Sequence, residues 1–95
     1  MSKKLKLLTD ANPGIKVNVL SLNKGLQEYE KVNFIRIKSK YYNIIIMKDY
    51  LPIIGEVQGN VEIELEGKTI KLDNIVGYYM HKKNRFHLFI KEEIK

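Results

Sequence analysis

The chain contains no cysteine in its 95 residues. That absence excludes disulfides, thiolate nucleophiles, cysteine-ligated zinc and iron–sulfur clusters, and it fits an intracellular, cytoplasmic protein. Histidine is scarce as well: His81 and His87 are the two present. Six apart but on the two arms of a predicted hairpin, they fall on opposite faces in its register and read as ordinary strand histidines rather than as a metal pair. Arginine is limited to Arg36 and Arg85, so the bidentate side chain favoured for phosphate and guanine is rare. Long apolar runs are missing too. Ile44-Ile45-Ile46-Met47 is among the longest, far below the roughly 18 residues needed to span a bilayer, so a soluble chain without a membrane span is expected. At the start, Lys3, Lys4 and Lys6 precede a Leu-Leu pair too short for a secretory signal, and the mature chain is expected to begin near Met1.

What is present suits one β domain covering residues 1–95, long enough to bury roughly 60–70% of the surface its unfolded chain exposes. The net charge is +6. It is uneven: residues 1–48 carry ten Lys and Arg against three acids, and residues 49–95 seven against eight. A basic excess of this kind serves nucleic acid, an anionic surface or an acidic partner, or it is a lysine-rich solvated face.

The most strand-like stretch is Ile75 to Ile90, a β-hairpin around the polar turn Lys82-Lys83-Asn84-Arg85. Its register sets His81 opposite Phe86 and Tyr79 opposite Leu88. One face then carries Ile75, Tyr79, His81, Phe86, Leu88 and Ile90, and the other Val76, Tyr78, Met80, His87 and Phe89. Neither face is polar, so cover is expected on both: a second sheet on one, and more of the chain or a partner on the other.

Elsewhere, Ile15, Val17 and Val19 alternate as a half-buried strand near the sheet edge, and Leu26 to Lys31 reads as an irregular connection. Val32 to Lys38 forms a second strand. Tyr41 to Met47 forms a third, whose isoleucine run argues for a central position. Pro52 ends that region, a structured loop follows, and Gly55 to Gly59 reads as a turn. From Asn60 the alternation is clean, with Val61, Ile63 and Leu65 inward and Glu62, Glu64 and Glu66 outward. A two-residue loop at Gly67-Lys68 implies Glu64 opposite Lys71 and Ile63 opposite Leu72, and Asp73-Asn74 turns the chain into the 75–90 hairpin. The fold class is all-β: an antiparallel sandwich or flattened barrel of about seven to nine short strands with little or no helix, its core including Val61, Ile63, Leu65, Ile70, Leu72, Leu88 and Ile90.

Chemistry is hard to find in this pattern. Ser21, Ser39, Asp10, Asp49 and Asp73 sit in no nucleophile elbow, the glycine-flanked 55–59 segment lacks the Lys-Ser or Lys-Thr of a phosphate loop, and the Glu62, Glu64, Glu66 row reads as a solvated strand face. No catalytic residue, cofactor or metal is expected. Lys38, Lys40, Tyr41, Tyr42 and Lys48 interleave aromatic with basic side chains as single-strand nucleic-acid binders do, an alternative binding site.

Three segments carry a family likeness: Ile46-Met47-Lys48-Asp49-Tyr50-Leu51-Pro52, then Gly59-Asn60-Val61-Glu62-Ile63, then Val76-Gly77-Tyr78-Tyr79-Met80-His81-Lys82-Lys83-Asn84-Arg85-Phe86-His87-Leu88. From about Val32 to Ile90 the chain resembles the N-terminal β-sandwich of the epsilon subunit of F-type ATP synthases, delta in mitochondria. That family carries G-x-x-x-I-L-P-x-H-x-P, a glycine before a strand, and G-G-[FY]-x-x-V-x-x-N-x-[VF]-x-[VL]. Lys48 and Tyr50 stand where the family has its first proline and its histidine, and Val76 replaces one glycine of the pair. The sequence ends at Lys95, short of the family's helical hairpin, so no inhibitory lever is expected. The resemblance implies a non-enzymatic module whose sandwich docks on a rotor subunit. The partner surface is expected at Tyr78, Met80, His87 and Phe89, with self-association as a second use of the same patch.

Overall fold

The computed structural model describes residues 14–94, and it is built from strands alone, with no helix among the described residues. The described residues form seven strands: β1 (Ile15–Ser21), β2 (Gly25–Val32), β3 (Phe34–Ser39), β4 (Asn43–Met47), β5 (Ile53–Leu65), β6 (Lys68–Lys82) and β7 (Arg85–Glu93). They form one sheet in the order β2-β1-β7-β6-β5-β3-β4, antiparallel except for the β1–β7 pair. The expected sandwich is therefore a single sheet folded over on itself. Inward residues of β1, β6 and β7 share one core with those of β3, β4 and the second part of β5, so the cover expected from a second sheet comes from the other half of the same one.

The fold-over is made by β5 and β6, which are long and change register midway. Residues 53–59 of β5 pair with 75–81 of β6, and residues 61–65 pair with 68–72, so Asp73-Asn74 bulges opposite Asn60. Asn74 adopts φ 52°, and its N–H donates to the Asn60 side-chain oxygen at 2.8 Å. At the same corner a side chain on Gly59 would collide with the Lys38 carbonyl, which lets β3 approach closely. Two expected turns are thus strand: Gly55 to Gly59 belongs to β5, and Asp73-Asn74 is a bulge inside β6. Glycine and asparagine mark the corner in both cases, but the ladder continues through it.

The 65–68 turn is tight, with Leu65 paired to Lys68 and Gly67 at φ 73°, so the loop is Glu66-Gly67. Glu62 then faces Lys71, Ile63 faces Ile70, and Glu64 faces Thr69. This register differs by two residues from the expected one. An even shift keeps every side chain on its face, which is why the inward assignment of Val61 and Ile63 holds. Leu88 and Ile90 are also buried, whereas Leu65, Ile70 and Leu72 are partly buried at the rim.

Two placements depart from expectation. Residues 26–31 form β2, an edge strand; only one of its faces touches the core, so Gln27 and Tyr29 are half-buried and little apolar periodicity is needed. Strand β1 lies next to that edge, between β2 and β7, near the sheet edge as expected. Strand β4, expected at the centre, ends the sheet. Ile44 and Ile46 face inward, while Ile45 and Met47 remain exposed.

Candidate functional site

In the β6–β7 hairpin the pairing is Tyr79↔Leu88 and His81↔Phe86 on the inner face, and Tyr78↔Phe89 and Met80↔His87 on the outer. The inner set is buried. Tyr79 stacks on Phe86 with ring centroids 5.7 Å apart, and burial raises its phenol pKa well above the ordinary value, helped by the hydrogen bond with Tyr42. His81 is fully buried, and neither ring nitrogen has a hydrogen-bond partner among the described residues. Burial lowers its pKa from the usual imidazole value, and the nearby His87 adds to the effect.

On the outer face Tyr78, Met80, His87 and Phe89 are all exposed. Cross-strand register extends them into two rows. One runs Leu26, Leu20, Phe89, Tyr78, Glu56 across β2, β1, β7, β6 and β5. The next runs Glu28, Asn18, His87, Met80, Ile54 across the same five strands. Leu20, Leu26 and Ile54 are 45%, 57% and 77% exposed, so the apolar surface spans all five strands rather than the hairpin alone. It holds a shallow depression of about 400 Å³. These three residues escaped sequence reasoning because each lies far from the hairpin along the chain. A signal did exist for Leu20, an apolar residue out of phase with Ile15, Val17 and Val19.

A cationic row borders this surface, with Lys16 beside Arg85 and Arg85 beside Lys82. Lys16 approaches Glu30 at 3.8 Å, while Arg85 and Lys82 make no ion pair among the described residues. The opposite outer face has a different character. There Glu62 lies 3.4 Å from Arg36 and 3.3 Å from Lys38, Glu64 accepts from the Thr69 hydroxyl at 2.7 Å, and the Arg36 guanidinium sits over Phe34. The outer face of β5 and β3 is thus ionic, with exposed Ile45 and Met47 beside it on β4, whereas the other outer face is an apolar sheet surface.

The basic and aromatic residues singled out as a nucleic-acid alternative are not gathered on one free surface. Lys38 pairs with Glu62, and Lys48 with Asp49 at 3.2 Å. Tyr42 turns inward, its hydroxyl donating to the Glu56 carbonyl and lying 2.9 Å from the Tyr79 hydroxyl. Tyr41 stays exposed, with the Lys40 ammonium 5.4 Å from its ring centroid. Among the described residues there is no group of three or more His, Asp or Glu placed to hold a metal ion, and no helix long and apolar enough to cross a membrane.

No model of a known protein family matches the chain, and no curated protein matches it by sequence. Among solved structures, the fold is similar to a chain in the cryo-EM structure of the Tetrahymena thermophila mitochondrial ATP synthase central stalk and c-ring, with a TM-score of 0.66 and 13% identity. The match covers 82% of this chain and 63% of the other, so this chain spans less than two thirds of that component's length. At this identity the likeness is one of fold: an all-β fold also used in an ATP synthase stalk assembly. A kinship with the epsilon subunit in particular is a narrower statement than this likeness carries.

Proposed function

We propose that this chain is a non-enzymatic protein-binding module that docks through the outer face of β2-β1-β7-β6-β5, with Tyr78 and Phe89 at its centre. The observation that carries the reading is the contrast between the two outer faces. Isolated exposed apolar residues are ordinary, but two adjacent rows continuing across five strands form a contiguous patch of the kind found at interfaces. Tyrosine, phenylalanine and methionine are enriched at interface centres, and Arg85 and Lys82 at the border fit a partner whose apolar surface is flanked by acidic groups. The sequence resemblance to the epsilon sandwich and the fold likeness to a stalk component both favour a rotor-type subunit as that partner.

The test uses the purified central-stalk rotor subunit from the same genome, titrated calorimetrically. Wild type should bind, and the double variant Tyr78→Ser, Phe89→Ser should bind at least tenfold more weakly while unfolding at a similar midpoint, because both side chains are about half exposed (47% and 41%). Equal binding by the double variant, or no binding by wild type, refutes the reading. A double variant that unfolds would instead assign these residues a structural role.

A further inference from the structure

We propose that the open edge of β4 pairs with β4 of a second copy of this chain, forming a two-fold antiparallel dimer centred on Ile45. Among the described residues strand β4 ends the sheet, and β3 is its one strand neighbour. At the β3–β4 link the Ser39 N–H donates to the Tyr42 carbonyl at 2.8 Å, which identifies that pair as hydrogen-bonded. In an antiparallel ladder bonded and non-bonded pairs alternate. Counting along the register, Ile37↔Ile44 and Ile35↔Ile46 are bonded, while Lys38↔Asn43, Arg36↔Ile45 and Phe34↔Met47 are not. The backbone N–H and C=O groups of Asn43, Ile45 and Met47 therefore point away from β3. One of these, the Met47 carbonyl, accepts from the Tyr50 N–H at 3.1 Å and keeps a second lone pair.

The two ends of the sheet are built differently. Edge strand β2 carries Glu28, Glu30 and Lys31, and Lys31 adopts φ 58°, which interrupts a regular ladder. Charges and local irregularity of this kind keep an edge from pairing. Strand β4 has neither: Asn43-Ile44-Ile45-Ile46-Met47 contains no charge, proline or glycine, and Ile45 and Met47 are 40% and 56% exposed. Pairing centred on Ile45 is self-complementary. It sets Ile45 against the second copy's Ile45 and Asn43 against the second copy's Met47, so every outward N–H meets an outward carbonyl. Extending the same count, Lys48 falls opposite Tyr42 rather than opposite another lysine. The dimer leaves the β2-β1-β7-β6-β5 face open, so the two readings stand or fall separately.

A five-residue ladder is shorter than a standard interface, and a weak dimer is expected. Sedimentation equilibrium from roughly 10 µM to roughly 1 mM protein reads such an association. Wild type should be a monomer–dimer mixture, and Ile45→Lys and Ile45→Glu should each be monomeric with at least a tenfold weaker association. Mixing the two variants should restore the dimer, because the opposed positions then carry opposite charges. Ile54→Lys, on the other face, should dimerise like wild type. In this cysteine-free chain, Ile45→Cys should also form an intermolecular disulfide, since bonded antiparallel pairs place Cα atoms about 5.5 Å apart. A strictly monomeric wild type, an undiminished Ile45→Lys dimer, or an Ile45→Cys chain that fails to cross-link overturns the proposal.

Discussion

Replacing His81 with leucine tests the account of the core most directly. The imidazole is fully buried and both nitrogens lack partners among the described residues, so the native state bears the cost of an unpaired polar group, about 1–3 kcal/mol on mutational scales. Against this, the ring lies 6.3 Å from Phe86 and 6.5 Å from Tyr50, contacts worth about 0.5–1.5 kcal/mol each as aromatic pairs. The two terms nearly cancel above pH 7, and the variant should lie within about 1 kcal/mol of wild type there. Acid separates them. The folded pKa of His81 is lowered from 6.5, so as pH falls the unfolded chain takes up the proton first. The stability contributed by neutral His81 is complete above pH 6.5 and is lost as pH falls from there toward the folded pKa. The slope for one group approaches about 1.4 kcal/mol per pH unit. Urea unfolding at pH 7.5, 6.5, 5.75 and 5 provides the assay, and the wild-type minus variant difference cancels every other titrating group. Stability of His81→Leu should exceed wild type increasingly below pH 6.5. Parallel pH profiles, or a leucine variant far less stable at pH 7.5, would mean that the imidazole has a partner and the account is wrong.

Gly67→Val should cost about 1 kcal/mol or more, read from the urea midpoint, because φ 73° resists a β-branched residue. No atom of the described residues lies within 4 Å of an added Cβ, so Gly67→Asn, which tolerates the left-handed region, should recover much of the loss. Asn60→Ala removes the acceptor for the Asn74 N–H at the corner and should lower stability by about 1 kcal/mol in the same assay. Single-stranded oligonucleotides should bind negligibly near 0.15 M salt, since Lys38 and Lys48 are already ion-paired and Tyr42 is turned inward. A tight complex with a steep salt dependence, read by fluorescence anisotropy, would restore the nucleic-acid alternative.

Local pattern determined much of this protein. Period-two alternation placed Val61, Ile63, Leu88 and Ile90 inside, and the β6–β7 turn set a register that also left Tyr78, Met80, His87 and Phe89 outside, because one hairpin turn decides parity for both arms. Three things were decided by tertiary structure. Whether an apolar run is central or marginal depends on what lies beside it, so the isoleucines of β4 read as a core strand although no neighbour among the described residues covers its outer edge. Whether glycine and asparagine end a strand or only bend it depends on a partner that bends with it, and β5 and β6 bulge together at Asn60 and Asn74. The extent of the apolar face was hidden for the same reason. Leu20, Leu26 and Ile54 join Tyr78 and Phe89 only through pairings between strands distant along the chain, including the parallel β1–β7 ladder, and such contacts leave no mark on local periodicity.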